Sequence, residues 1–237
     1  MKILAFDSTA KIASVAVLLD ERPIGIYNID NGLTQSELLL PMAENLLSSL
    51  KLSFDDIDLL ATSVGPGSFT GVRIGVSLVK GIAFSKNIPC VPVSTLEALL
   101  ENLSGLDGII VPTMDARRGQ VYTAIFRSRD GKTERLTEDM AIPISHLAER
   151  LSELSGEDVY LCGDGYRVAA DGLSKLGIAI KKTPELLIPE SAASVGRVAL
   201  RKYLAGEFTS DKEISPTYLR LPQAERERLE KISKEEN

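Results

Sequence analysis

One pattern occurs twice in this chain of 237 residues, and it restricts the fold more than any other feature. An apolar run, Lys2–Phe6, meets a small polar turn that starts at Asp7 and leads into a second, mostly apolar run, Ile12–Leu19. The run Ile109–Met114, the turn Asp115-Ala116-Arg117-Arg118-Gly119 and the run Val121–Phe126 repeat that order, with Asp115 lying 108 positions after Asp7. Strand, acidic turn and strand at a fixed offset is what a duplicated domain shows. A chain this long buries enough of its surface to hold two α/β halves without covalent staples.

The first half opens as a three-stranded antiparallel meander, since Asp20-Glu21-Arg22-Pro23 turns the chain into Ile24–Ile29. The period then changes. Thr34-Gln35-Ser36-Glu37 matches a capping box, in which the threonine hydroxyl and the glutamate each satisfy a free helix N–H. Leu38, Leu39, Leu40, Met42, Ala43, Leu46, Leu47 and Leu50 follow at helical spacing and cover more than one face. Two explanations stand level: a helix sunk in the core, or one with a second face for a partner. Ile57–Val64 reads as a strand, Phe69–Phe84 as a helix, Ile88–Val93 as a strand and Thr95–Leu103 as a helix.

The second half, after its own strand pair, reads as a helix over Ile144–Leu154, a strand at Val159–Cys162 and a helix over Tyr166–Leu176. A short strand and a helix over Ala192–Leu204 follow. The fold class is therefore α/β, with two related halves, each a mixed sheet with flanking helices. Their expected bounds are 1–104 and 105–222, and 223–237 is a charged tail that reads as a solvated or frayed helix.

Composition excludes several functions. Cys90 and Cys162 lie 72 positions apart with no other thiol, which removes a disulfide framework and a Cys-only metal knuckle. His146 is the one histidine, so no two-His zinc site can exist, which argues against a metal-dependent peptidase. No signal-peptide core or bilayer-spanning run is present, and the expectation is a soluble, cytoplasmic chain with no membrane partner. The net charge is −6, and residues 1–105 carry 7 basic and 11 acidic side chains against 20 and 22 in the remainder. Neither half is a basic module, which argues against a direct electrostatic grip on nucleic acid.

The most distinctive stretch is Gly65-Pro66-Gly67-Ser68-Phe69-Thr70-Gly71-Val72-Arg73-Ile74-Gly75. A glycine-rich loop between strand and helix can offer backbone N–H groups to an anion. It is no Walker loop, because no Lys-Ser or Lys-Thr follows the glycines, and its spacing is one residue too long for the dinucleotide fingerprint. A tight turn capped by Ser68 or its neighbour accounts for the spacing more simply. It does not account for Gly71, Gly75 and Gly81 within the helix, each of which costs about 1 kcal/mol relative to alanine. Gly71 and Gly75 share a face, so the expectation is close approach of another helix, with Thr34–Leu50 of this chain or a partner as the candidate. Asp7 and Asp115 at equivalent turns would point into one cleft if the halves face each other, and could hold a metal-bound phosphate; capping of each turn is the simpler role.

Together with Ile3-Leu4-Ala5-Phe6-Asp7-Ser8-Thr9, the Gln35-to-Met42 region, Val93-Ser94-Thr95-Leu96, Asp115-Ala116-Arg117 and Pro216-Thr217-Tyr218-Leu219-Arg220, this block resembles the bacterial TsaB family, also called YeaZ. The resemblance covers residues 1–126 most closely. It implies an actin-like/sugar-kinase (ASKHA) fold. It also implies a non-catalytic scaffold or activating subunit of the complex that places threonylcarbamoyl on the adenosine beside the anticodon of tRNAs reading codons that start with A.

The partners so implied are a TsaD-like catalytic paralogue and a TsaE-like ATPase, with a homodimer when the paralogue is absent and tRNA reached only through the complex. ATP or ADP and a divalent metal belong on those partner subunits, with no cofactor on this chain. The family's helix interface falls here on Leu38, Met42, Leu46, Ser68, Phe69, Gly71, Arg73, Gly75, Val76 and Val79. No catalytic or metal residues are expected, because the H-x-x-x-H pair of the catalytic relatives is impossible with His146 alone. Leu33 stands where many relatives carry a histidine. The alternative is a small ATP-binding kinase or ATPase using the Asp7/Asp115 cleft, with Asp7, Ser8, Gly67 and Asp115 as its nucleotide contacts.

Overall fold

The computed structural model describes residues 1–154 and 156–220, so the charged tail expected at 223–237 lies outside the described residues. Strand β1 (Lys2–Asp7) is the centre of the first sheet, with Ile3 and Ala5 packed on one side and Leu4 and Phe6 on the other. Burial of both faces is why this strand reads as an unbroken apolar run. β2 (Ala13–Leu19) pairs with it antiparallel, from Lys2↔Leu19 to Asp7↔Ser14, and β3 (Arg22–Ile29) completes the meander. β4 (Leu59–Ser63) and β5 (Cys90–Val93) extend the other edge in parallel, giving the order β3-β2-β1-β4-β5. Parallel additions need crossovers. Helices α1 (Gln35–Ser49) and α2 (Phe69–Lys86) supply them and lie together on the Leu4/Phe6 face.

The second half repeats this plan around β6 (Gly108–Asp115). β7 (Gln120–Thr123) and β8 (Phe126–Arg129) run antiparallel to it in a single register, from Asp115↔Val121 to Gly108↔Ser128. They are one strand broken in the middle, where the sequence predicts continuity over Val121–Phe126. In that register Pro112 stands opposite the break, and a proline has no N–H for the ladder. Its carbonyl instead accepts the Thr123 hydroxyl at 2.8 Å, while Ile125 turns away to pair with Leu136 and Thr137. β9 (Lys132–Arg135) joins β8, β10 (Met140–Pro143) joins β7, and β11 (Val159–Cys162) lies parallel to β6 as β4 lies beside β1. The short strand expected after the 166–176 helix is only an isolated bridge between Tyr160 and Lys181. Asp7 and Asp115 thus end equivalent strands. The architecture is the actin-like/sugar-kinase one: two related halves, each a mixed sheet with flanking helices.

The helices cross between the halves. α4 (Ile144–Ser152) and α5 (Tyr166–Lys175) cover one face of the second sheet, and α3 (Thr95–Glu101), from the first half of the sequence, packs on the other through Leu96 and Leu99. α6 (Ala192–Leu204) returns to the first sheet and covers its Ile3/Ala5 face. The Ser14 hydroxyl of β2 accepts from Ala192 N at 2.8 Å, satisfying a free donor at the start of α6. A Cβ on Gly196 would lie 2.3 Å from Leu18, so the glycine sets how closely the helix lies on β2. Thr209 then bridges Cys90, Ile214 enters the first core, and Thr217 N donates to Val64 O at 2.8 Å. A cut at 104/105 divides the sheets, but residues 192–217 pack on the first half.

Candidate functional site

The glycine block is built for contact within the chain. Ser68 caps α2 by accepting from Gly71 N at 3.2 Å, and Ser68 N itself donates to Thr9 O at 2.7 Å. Gly65 O accepts from Thr95 N at 2.9 Å. A Cβ on Gly71 would stand 1.9 Å from Ser8 O, one on Gly75 2.5 Å from the Ser8 hydroxyl, and one on Gly67 2.5 Å from Thr9 O. The partner in the close approach expected for Gly71 and Gly75 is therefore the turn after β1, and the expectation of a facing helix is corrected. Gly81 has open space where its Cβ would be.

α1 and α2 pack side by side, and most of their apolar stripe is core. Leu38, Met42, Leu46, Val76 and Val79 are buried inside this chain, as are Gly71 and Gly75. These seven of the ten expected interface residues do not reach the surface, because α1 and α2 use them to cover β1, β2 and β4. Among the eight apolar positions expected on this helix, the last of them its C-cap Leu50, only Leu40 is exposed, so the core explanation accounts for nearly all of that stripe. In the capping box, Glu37 accepts from Thr34 N at 2.9 Å as expected, while the Thr34 hydroxyl also donates to Glu37, at 2.6 Å.

What α1 and α2 leave outside is a shallow groove of about 510 Å³ lined by Gln35, Leu39, Leu40, Phe69, Arg73, Ile74 and Leu78 among others. Phe69 and Arg73 are the expected residues that line this groove, while Ser68 is exposed but lines the cavity between the halves. Arg73 lies 3.7 Å over the Phe69 ring, and its Nε donates to the Tyr218 hydroxyl at 2.7 Å. Tyr218 in turn packs on Phe69 with ring centres 5.0 Å apart. The Phe69–Arg73 contact has a sequence signal, a spacing of four on a helix; that of Tyr218 has none, since it comes from 145 residues away.

The second concave region lies between the halves. A cavity of about 660 Å³ is lined by Lys11, Gly67, Asp115, Arg117, Asp164, Arg167 and the segment Thr217–Arg220, and a neighbouring one of about 410 Å³ shares Lys11, Asp164 and Arg167 with it. Gly67 and Asp115 line the larger one; Asp7 and Ser8 line neither. The expectation that both aspartates point into the cleft is corrected. The buried Asp7 carboxyl accepts from Thr9 N at 2.9 Å, from the Thr9 hydroxyl at 2.7 Å and from the Ser63 hydroxyl, which is the turn-capping role. Ser8 is turned inward too, its hydroxyl donating to Gly71 O at 2.8 Å.

Two acids that the sequence does not single out join this region. Asp164 follows β11 where the Gly65 loop follows β4, and accepts from Asp115 N at 2.9 Å. Glu190, 3% exposed, accepts from Asp164 N at 3.0 Å. Burial first, then the Asp7 and Asp164 charges, pushes the Glu190 carboxyl up to about 8. Burial also raises Asp7, against its three hydrogen bonds. Among the described residues, no group of three His, Cys, Asp or Glu side chains is placed to hold a metal ion, and no helix is long and apolar enough to cross a membrane. His146 is exposed on α4, far in sequence from these sites.

Comparison with known proteins agrees with the geometry. Residues 33–228 match the family described as TsaD, tRNA N6-adenosine threonylcarbamoyltransferase. The tRNA threonylcarbamoyladenosine biosynthesis protein TsaB of Bacillus subtilis (strain 168) is 32% identical over 236 residues, which is 97% of this chain and 99% of that protein. TsaB of Escherichia coli (strain K12) is also 32% identical, over 93% of this chain and 95% of its own. YeaZ from Pseudomonas aeruginosa has the same fold, with a TM-score of 0.74 at 24% identity over 92% of this chain and 99% of that one. A threonylcarbamoyltransferase of Fusobacterium nucleatum is similar over only 39% of this chain, at 30% identity. With full-length likeness to the first group and partial likeness to the transferase, the chain belongs to the TsaB family of tRNA threonylcarbamoyladenosine biosynthesis proteins.

Proposed function

We propose that this chain is a non-catalytic subunit in tRNA threonylcarbamoyladenosine biosynthesis, which docks the threonylcarbamoyltransferase and holds it in its competent shape. The observation that carries the reading is the α1–α2 groove. It exposes Leu40 and leaves Phe69, Ile74 and Leu78 only partly covered, beside an Arg73 already fixed by Phe69 and Tyr218. An apolar centre with a rigid arginine at its edge is the usual make-up of an interface hot spot. Two helices from each partner would bury roughly 1,600 Å² in total, the size of a stable interface. The family names support the pathway and the existence of a separate transferase.

Other parts of the reading follow from it. The transferase supplies the metal and the reacting groups, a small ATPase joins the assembly, and tRNA is held by the complex. Without the transferase, the same groove pairs two copies of this chain. The setting is the cytoplasm.

The kinase or ATPase alternative loses its premise in Asp7, whose carboxyl is committed to Thr9 and Ser63.

The deciding experiment is threonylcarbamoyl transfer to tRNA by the transferase and the ATPase, with and without this chain. Transfer that requires the chain, with no turnover by the chain alone, is the expected result. Transfer at the same rate in its absence would overturn the reading.

A further inference from the structure

After α6 the chain runs back to the start of α2 and then across to the second half, and it is anchored at each step. Ile214 is buried in the first core, and Thr217 N donates to Val64 O at 2.8 Å. Thr217 O passes so close to Gly65 that a Cβ there would stand 2.6 Å from it. The Tyr218 hydroxyl accepts from Arg73 Nε at 2.7 Å, and its ring packs on Phe69. Beyond Leu219, Arg220 donates to Ala141 O at 2.8 Å and lies 5.7 Å over the Tyr122 ring. Ala141 and Tyr122 face each other across β10 and β7, so Arg220 ends on a single cross-strand pair at the edge of the second sheet.

The segment therefore links the docking groove to the second half. Phe69 and Arg73 line the groove, whereas Arg220 lies outside it and lines the cavity between the halves. Only Leu219 separates the Tyr218 anchor from Arg220, and Ile214 holds the other end, which leaves little slack to absorb a shift at Arg73. Arg73 spends Nε on Tyr218 and has no carboxylate partner among the described residues. Its two terminal nitrogens can take a carboxylate end-on while the Tyr218 bond stays in place. An acid bound there fixes the guanidinium on which Tyr218 depends, and a seated Tyr218 presents that guanidinium already oriented. Each event favours the other.

We propose that segment 214–220 is a strap that couples docking to the placement of the two halves. An acidic side chain of the transferase, bound by Arg73 at the groove, tightens the strap, and Arg220 then holds the second half against the first. The inference rests on the docking reading above and adds a regulatory link to it. By the same coupling, loosening the strap at its far end weakens docking, although Arg220 does not line the groove.

The test uses the full chain and the transferase. Calorimetric titration of the transferase into Arg220→Ala should show docking weakened about fivefold, the lower end of couplings between sites. Tyr218→Phe should weaken it as well, and the double variant should bind like the weaker single one, because Arg220 acts through Tyr218. Leu40→Asp is the control for the groove itself. In the parent, docking should slow amide hydrogen exchange over 214–220 and also over 140–143, the strand that Arg220 meets outside the groove. Melting curves accompany the variants, and the exchange measurement needs none of them. Full affinity in Arg220→Ala with weakened Leu40→Asp overturns the strap and leaves the docking reading standing. Full affinity in Leu40→Asp overturns the docking reading and this inference with it. Additive losses in the double variant, or slowed exchange confined to 214–220, also overturn the strap.

Discussion

Ser8 and Gly71 are locked together: the Ser8 hydroxyl donates to Gly71 O at 2.8 Å, and a Cβ on Gly71 would fall 1.9 Å from Ser8 O. The start of α2 and the turn after β1 can approach this closely only because residue 71 has no side chain. Gly71→Ala should therefore destabilise the fold by about 3 kcal/mol, the upper range for overpacking a core. Urea denaturation checks it, and a midpoint equal to that of the parent would refute the contact. Gly75→Leu should likewise disturb folding before it can report on docking, since Ser8 and Thr62 occupy that space.

Docking is better tested at the outer rim of the same helices. Leu40→Asp and Ile74→Asp place a charge in the groove without removing a buried side chain. Each should weaken binding to the transferase by about 2 kcal/mol or more, as for hot-spot positions; Leu40→Asp should leave monomer stability unchanged, while Ile74→Asp also loses some packing on the first core. Titration of the transferase into each variant, beside its melting curve, decides this; full affinity in both would place the interface elsewhere.

Arg73 and Tyr218 bring the last described segment onto α2. Tyr218→Phe keeps the ring contact with Phe69 and removes the bond to Arg73 Nε. A double-mutant cycle with Arg73→Ala should give a coupling of about 1 kcal/mol, the scale of one partly exposed hydrogen bond. Zero coupling would mean that the segment is held by Thr217 and Arg220 alone.

Glu190 predicts the pH dependence of stability. Its folded value of about 8 lies above the ordinary 4.5, because burial and the Asp7 and Asp164 charges disfavour the carboxylate. The folded chain then holds a proton that the unfolded chain releases, so this contribution is full below pH 4.5 and is lost as pH rises to about 8. The loss is on the order of a few kcal/mol. Glu190→Gln should flatten the curve between those limits and make the chain more stable than the parent at pH 8.5. Parallel pH profiles of the two proteins would assign the titration to another group.

Local sequence alone carried the order of strands and helices in the first half, the Thr34/Glu37 cap, the Ser68 cap and the repeat that ends in Asp7 and Asp115, because periodicity, capping and turn chemistry act over a few residues; in the second half it did not carry β9 and β10, short strands that only their pairing with β8 and β7 defines. It also carried the TsaB likeness, through the long block from Gly65 to Gly75. Only the tertiary structure decided what covers each apolar face. The stripe of α1 covers β1 and β2, Gly71 and Gly75 receive Ser8, and α6 returns across 178 residues to be capped by Ser14. It also decided which of two equivalent aspartates meets the cleft. Asp7 is closed off by Thr9 and Ser63, while Asp115 stays open beside Asp164 and Arg117. A turn sequence states that a carboxylate is present, but its exposure is set by the segments that pack around it.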